Sequence, residues 1–154
     1  IISKEGALAN PADRDHCLQY MVAVPLLFGE LAAEHYEDDF HAAHPEIDAL
    51  RARMEVVEEP SYSRDYLDLG KRSIANAIQV FFADGSATEQ VAVEYPIGHR
   101  RRREEGVPVL EEKFRRHLET CLPRSRSARI LARCRDQQAL EAMPVHRFMG
   151  LLTL

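Results

Sequence analysis

The sequence predicts an α+β fold: a small antiparallel sheet, made of one hairpin and one further strand, packed with several helices. An apolar helical pattern follows Asn10, two alternating segments flank the turn dipeptide Asp84-Gly85, and proline starts or ends most other segments. Helices flank the hairpin instead of alternating with single strands, which argues against a doubly wound α/β sheet. Three strands are few for an independent sheet, so the pattern also predicts that a further strand precedes Ile1 in a longer polypeptide.

The first helix is predicted to begin after Asn10, an N-cap residue followed by proline at the first helical position. Residues 17–31 are apolar on nearly every side, which is typical of a buried helix. Pro25 inside this run predicts a kink. We therefore expect Leu27 in the core, where Leu27→Ala would cost about 2–5 kcal/mol.

Two short acidic helices are predicted over residues 33–41 and 45–53, followed by a strand over residues 54–58. Residues 60–72 are predicted to form a loop. The hairpin strands are then expected over residues 74–83 and 87–95.

The C-terminal third is predicted to be helical after a loop over residues 96–107. Pro108 is expected to start a helix that ends near Leu122. Further helices are expected near residues 125–135, 137–142 and 145–152.

The composition is that of a globular chain, with 45% hydrophobic and 29% charged residues among 154. This balance excludes intrinsic disorder, and no apolar run approaches the roughly 20 residues of a membrane span. The chain starts with Ile1 and without a signal peptide, so we expect a piece of a longer cytoplasmic polypeptide. Cys17, Cys121 and Cys134 form no CxxC pair, which favours reduced thiols over a disulfide scaffold or zinc ribbon.

Charge is distributed unevenly along the chain. Residues 1–60 carry 13 acidic and 4 basic residues, whereas residues 95–154 carry 7 acidic and 13 basic ones. Either the two segments attract each other within one fold, or some arginines bind an anion, because a guanidinium matches a carboxylate or phosphate bidentately. A pI near 5.8 argues against nucleic acid as the main partner.

Two segments carry candidate binding residues. Residues 13–16 lie on the first turn of the predicted helix, where free N–H groups face anions, although capping and local ion pairs are the alternative. Residues 98–103 form a glycine-led loop with one histidine and four arginines, which indicates an anion-binding or docking loop unless it is simply solvated. We expect Arg100 or Arg101 to be held by a partner and the next two arginines to be solvated.

Three histidines cluster in the acidic segment, namely His35, His41 and His44. Their spacing does not place all three on one helical face, and Pro45 interrupts the segment. Surface histidines are therefore favoured over a metal site.

Four segments resemble the MmgE/PrpD family: residues 10–29 (NPADRDHCLQYMVAVPLLFG), 71–77 (KRSIANA), 93–102 (VEYPIGHRRR) and 140–145 (LEAMPV). They occur in order and at similar spacing over essentially the whole chain. Leu69-Gly70 and residues 85–90 depart from the family pattern, but neither lies among the candidate binding residues.

The resemblance implies that residues 1–154 form the C-terminal α+β domain and C-terminal helices of a two-domain enzyme whose N-terminal helical domain is absent. It implies a hydro-lyase that removes water from 2-methylcitrate to give 2-methyl-cis-aconitate in propionate catabolism (the methylcitrate cycle). It implies no cofactor, metal ion or iron–sulfur cluster. The catalytic groups would lie mainly in the helical domain, so no catalytic residue is assigned here and the chain alone should be inactive.

The expected partners are a small tricarboxylate substrate and the absent helical domain; a homodimer is also considered, and nucleic acid and membranes are not expected. Two alternatives stay open: a sibling enzyme, such as a cis-aconitate decarboxylase or an epimerase, and a non-catalytic anion-binding module that uses Arg100–Arg103. The candidate substrate-binding residues are Asn10, Arg14, His16, Gln19, His99 and Arg100.

Overall fold

The computed structural model of the chain describes residues 4–153. The chain divides into two compact units, Ile1–Glu58 and Glu59–Leu154, and each has its own cluster of buried apolar side chains. Helices dominate both units and a two-stranded antiparallel sheet lies in the second, so the predicted α+β class is confirmed. Among the described residues, no helix is both long and apolar enough to cross a membrane.

The first unit consists of short helices. Its elements are α1 (Pro11–Asp15), α2 (Leu18–Phe28), a 3-10 turn (Ala33–Tyr36), α3 (Asp38–Ala43) and α4 (Pro45–Arg51). The predicted start at Asn10 is confirmed, because its side chain accepts a hydrogen bond from the backbone N–H of Asp13 at 2.9 Å. The acidic helix predicted over residues 45–53 is confirmed by α4, whereas the one predicted over residues 33–41 is divided at Glu37 into the 3-10 turn and α3.

The core of the first unit lies between α2 and α4. Tyr20, Val24 and Ile47 are fully buried there, and Leu8, Cys17 and Ala23 complete the buried cluster. The predicted continuous helix over residues 17–31 is shorter than expected, since α2 ends at Phe28 and is capped by Gly29 in the left-handed conformation (φ 87°).

One face of α2 is not buried, contrary to the sequence-based expectation. Leu27 is 42% exposed, and Leu26 and Phe28 are also exposed. An apolar pattern on every side does not by itself bury a helix, because the segments packed against α2 leave Leu26 and Leu27 largely uncovered.

The strand predicted over residues 54–58 is wrong. These residues follow α4 without a ladder partner, and Val56 and Val57 are exposed. A strand is stabilised by hydrogen bonds to a neighbour, and the described part of the first unit contains no strand to supply them.

The second unit begins with a helix and a hairpin and continues with helices. Its elements are α5 (Pro60–Leu67), β1 (Asn76–Ile78), β2 (Val91–Val93), a 3-10 turn (Arg100–Arg102), α6 (Arg103–Cys121), α7 (Arg124–Arg135), α8 (Gln137–Glu141) and α9 (Val145–Leu152). The last three agree with the predicted tail helices.

A helix replaces most of the loop predicted over residues 60–72. The Glu59 carboxylate accepts hydrogen bonds from the backbone N–H and the hydroxyl of Ser61, at 3.0 and 2.6 Å, and Pro60 takes the first helical position. This cap satisfies an N–H group that would otherwise lack a partner, so α5 forms despite its polar, tyrosine-containing sequence.

The predicted hairpin is confirmed, with shorter strands. Gly85 adopts φ 86° at the tip, as the Asp84-Gly85 signal predicts. Ile78 pairs with Val91, whereas Phe81 pairs with Ala87, so the strand after the turn carries one residue more between the two pairs. This extra residue is a β-bulge, which shortens the regular ladder.

Helix α6 begins at Arg103, five residues before the predicted start at Pro108. The 3-10 turn of Arg100–Arg102 leads directly into it and supplies the first turn that proline was expected to supply. Gly106 is buried there, and a Cβ at this position would approach the carbonyl oxygen of Ile97 more closely than 3.0 Å.

The core of the second unit lies between α6 and α7 and contains Leu118, Leu122, Ile130 and Leu131. Arg126 on α7 holds the end of α9, because its Nε donates to the carbonyl of Leu151 at 3.1 Å and its Nη2 donates to that of Thr153. A cation on the free carbonyls of a helix C-terminus stabilises that terminus.

Gly106→Ala should destabilise the protein, although glycine-to-alanine changes inside helices usually stabilise by about 0.5–1 kcal/mol. The added methyl would collide with the backbone of Ile97. Gly150→Ala is the matched control, since Gly150 lies in α9 and its Cβ would meet nothing within 4 Å. Urea unfolding of both variants tests this, and equal effects would contradict the proposed clash.

Ile47→Ala should cost about 2–5 kcal/mol of unfolding free energy, because Ile47 is fully buried. Leu27→Ala should cost much less, since Leu27 keeps 42% of its surface in water. Urea unfolding of the two variants gives both free energies. A larger loss of unfolding free energy for Leu27→Ala than for Ile47→Ala would show that this face of α2 is covered.

Candidate functional site

The candidate residues of the first unit lie on α1 and at the start of α2. Asn10 caps α1 and is exposed, and its Nδ2 lies 3.3 Å from the carboxylate of Asp13. Its side-chain oxygen serves the cap, so a ligand would meet mainly the amide N–H₂ group of this side chain.

Arg14 is buried, with 1% of its side chain exposed. Its Nε donates to the carbonyl of Tyr36 at 2.7 Å, its Nη1 donates to that of Leu8 at 3.2 Å, and its Nη2 forms an ion pair with Asp38. Its Nη1 also lies 3.4 Å from Nδ1 of His41. Four of the five guanidinium donors therefore have partners inside the fold, which leaves Arg14 a single N–H for any ligand.

His16 ends α1 and keeps more than half of its side chain in water (57%). Its Nδ1 lies 2.8 Å from the carbonyl of Ala12, and since a carbonyl only accepts, Nδ1 carries the proton. Nε2 is then the acceptor, and it has no partner among residues 4–153. The exposed edge of His16 can therefore accept a hydrogen bond.

Gln19 lines a surface depression of about 370 Å³ in the first unit. Its Oε1 accepts from the buried thiol of Cys17 at 3.6 Å. The depression is also lined by Glu5, Gly6, Asp48, Arg51, Ala52 and Met54.

A polar network connects Arg14 to this depression. Because Arg14 donates to Nδ1 of His41, the proton of that imidazole lies on Nε2, which donates to Asp48 at 3.1 Å. Asp48 also accepts from Arg51 at 2.7 Å. Burial by itself raises the pKa of the Asp48 carboxyl, but the hydrogen bond from Arg51 and the neighbouring His41 outweigh it, so its pKa is lower than usual.

The histidine cluster is not the set of surface side chains that the sequence favoured. His41 is 17% exposed, and its ring lies 5.6 Å from that of Tyr20 in an edge-on arrangement. His35 and His44 pack against Phe40, with ring centroids 4.8 and 4.5 Å away. Over residues 4–153, no three His, Cys, Asp or Glu side chains are grouped so as to hold a metal ion.

Tyr20, next to the network, is fully buried. Its hydroxyl donates to the carbonyl of His35 at 2.6 Å, and burial raises its pKa. The sequence analysis did not find this network, because its link from Arg14 to His41 spans 27 residues and no local pattern signals such a contact.

The candidates of the second unit lie on the arginine loop, defined as residues 98–103. His99 caps the 3-10 turn, since its Nδ1 accepts from the backbone N–H of Arg101 at 3.2 Å. Its Nε2 therefore carries the proton and donates to the carbonyl of Arg72 at 3.0 Å. The ring also lies 4.6 Å from that of Tyr95, so His99 is engaged on every polar atom.

The four arginines of the loop divide into two bound and two unbound side chains. Arg101 donates to the carbonyl of Gly70 and lies over the ring of Tyr95 at 5.0 Å, so the expectation that it is held is confirmed. Arg102 pairs with Glu105 at 2.7 Å and donates to the carbonyl of Tyr95 at 2.9 Å. The expected solvation of Arg102 is therefore wrong.

Arg103 is exposed and makes no hydrogen bond or ion pair within the described part of the chain, as expected. Arg100 is equally exposed and unpaired there. The acid bound by the loop is local, at Glu105, and the hydrogen bond from Arg102 lowers the pKa of that carboxyl.

Comparison with known proteins gives a consistent picture. A family model described as the MmgE/PrpD C-terminal domain matches residues 1–137. Over the whole chain the sequence is 56% identical to a protein of Cupriavidus necator, 51% identical to one of Escherichia coli K12 and 52% identical to one of Salmonella typhimurium. Each of the three is named 2-methylcitrate dehydratase, and the chain spans 32% of the length of each.

Asp48→Asn should lower stability at neutral pH and flatten the acid limb of the stability profile. A carboxyl whose pKa is lowered by folding stabilises the protein above its unfolded pKa of about 3.9, and this contribution is lost as the pH falls through the folded value. The variant and wild type should therefore converge in thermal unfolding scans once the pH falls below the lowered pKa of Asp48. Glu104→Gln, at an exposed and unpaired acid in the described region, is the control, and an equal flattening there would contradict the prediction.

Proposed function

Since the chain belongs to the MmgE/PrpD family, we propose that it is the C-terminal part of a 2-methylcitrate dehydratase, a hydro-lyase when whole. One observation carries the proposal: identity of 51–56% over all 154 residues to three proteins of that name. The chain spans about a third of their length. We assign residues 1–154 to the C-terminal α+β domain and C-terminal helices, with the N-terminal helical domain lying outside this sequence.

The proposed reaction makes three demands on a site. The substrate carries three carboxylates, so cations or N–H donors have to neutralise them. A base has to be held against a carbon-bound proton, and an acid has to protonate the leaving hydroxyl. We assign neither of these two groups to a residue of this chain.

The candidate residues fall into two roles in this proposal. Asn10, His16 and Gln19 offer polar groups at the surface of the first unit, and Arg100 offers a free guanidinium on the second. Arg14 and His99 act as positioning residues, because their polar atoms are already bonded within the fold. A cytoplasmic location and a homodimer stay predictions.

The chain alone should not turn over 2-methylcitrate, whereas the full-length protein should. The reason is that base and acid are proposed to lie in the missing part. The conjugated double bond of the product gives an ultraviolet absorbance that reports turnover directly. Activity of the chain alone would contradict the proposal that the base and acid lie outside it. If the full-length protein instead decarboxylates cis-aconitate, it is a sibling enzyme of the family.

A further inference from the structure

We propose that Arg100 and Arg103 form a two-guanidinium fork that binds two carboxylates of one small polycarboxylate. The inference rests on the proposed function for its ligand class. It adds Arg103 as a second binding residue, because Arg103 lies one turn from Arg100. It is carried by the contacts of the arginine loop.

The backbone of the loop is held at several points. Arg101 binds the carbonyl of Gly70 and the face of Tyr95, and Arg102 binds the carbonyl of Tyr95 and the carboxylate of Glu105. His99 joins the loop to the carbonyl of Arg72 at 3.0 Å. The two intervening arginines are therefore bonded within the unit, and the loop has a defined conformation before any ligand binds.

Arg100 and Arg103 lie one helical turn apart. Residues 100–102 form the 3-10 turn and residue 103 begins α6. A 3-10 turn has three residues, so the side chains of residues i and i+3 project from the same face, with their Cβ atoms roughly 5–6 Å apart. The two free guanidinium groups thus share one side of the turn.

Neither guanidinium has a partner within residues 4–153. Glu105 is bound to Arg102 at 2.7 Å, and the adjacent Glu104 makes no ion pair with either arginine. Two like charges one turn apart repel each other, and an anion between them removes this repulsion. An anion that contacts both guanidinium groups would therefore be bound more strongly than by either arginine alone.

The chemistry favours a small molecule with two carboxylates. Each guanidinium fork matches one carboxylate bidentately, and the separation of one turn suits two carboxylates joined through a few carbon atoms. A long polyanion is disfavoured because the chain carries a net charge of −5. A phosphate shares the charge but offers one anionic group for two forks.

Citrate is the probe, titrated into the chain and followed by NMR of the arginine Nε–H signals and by calorimetry. We expect saturable binding of one citrate, weakened about tenfold or more by Arg100→Gln and by Arg103→Gln. Arg103→Lys should also weaken it, because lysine keeps the charge but loses the fork. These exposed positions have no fold contacts to lose, which unchanged amide spectra would verify.

Helix α7 supplies matched controls at Arg129 and Arg133, which are exposed, one turn apart and unpaired in the described chain. Arg129→Gln and Arg133→Gln change the net charge equally and should leave citrate binding unchanged. Equal weakening in the controls, displacement of citrate by chloride at equal ionic strength, or tighter binding of inorganic phosphate would each overturn the proposal. If the full-length protein does not dehydrate 2-methylcitrate, the proposed function fails, but the citrate titration still tests the fork. The two failures are therefore distinguishable.

Discussion

The buried guanidinium of Arg14 is the interaction on which the first unit depends. A charge with 1% of its side chain exposed is tolerated only when hydrogen bonds and a counter-ion replace water. Leu8, Tyr36 and Asp38 supply these partners from three separate segments. The segments have to meet at the guanidinium, and the position of α1, with Asn10 at one end and His16 at the other, follows from that requirement.

The second unit manages positive charge in a different way. Four consecutive arginines repel one another if all are left in water. In this fold, two of them form contacts with other residues. Arg101 is stabilised by a carbonyl and an aromatic face and keeps its charge, whereas the charge of Arg102 is paired with a carboxylate. Arg100 and Arg103, one turn apart, keep guanidinium groups that no residue within 4–153 binds.

These two arrangements bear on the chemistry of the proposed reaction. Residues 1–60 contain 13 acidic and 4 basic residues. One of these basic residues, Arg14 on α1, is already bonded within the fold. The first unit thus offers amide and imidazole groups more readily than free cations. A tricarboxylate requires cations, so in the proposed enzyme they come from the arginine loop and from the part of the protein outside this chain.

Short-range signals in the sequence determined most element positions. Asn10-Pro11 marked the start of α1, Asp84-Gly85 marked the hairpin tip, and the three tail helices were found, because caps and turns are satisfied by residues a few positions apart. Tertiary structure alone decided that residues 54–58 lack a strand partner, that Leu27 is exposed, and which arginines are bound. Arg14 meets Tyr36 across 22 residues and Arg101 meets Gly70 across 31, and no local pattern encodes which distant carbonyl a long, flexible guanidinium side chain will reach.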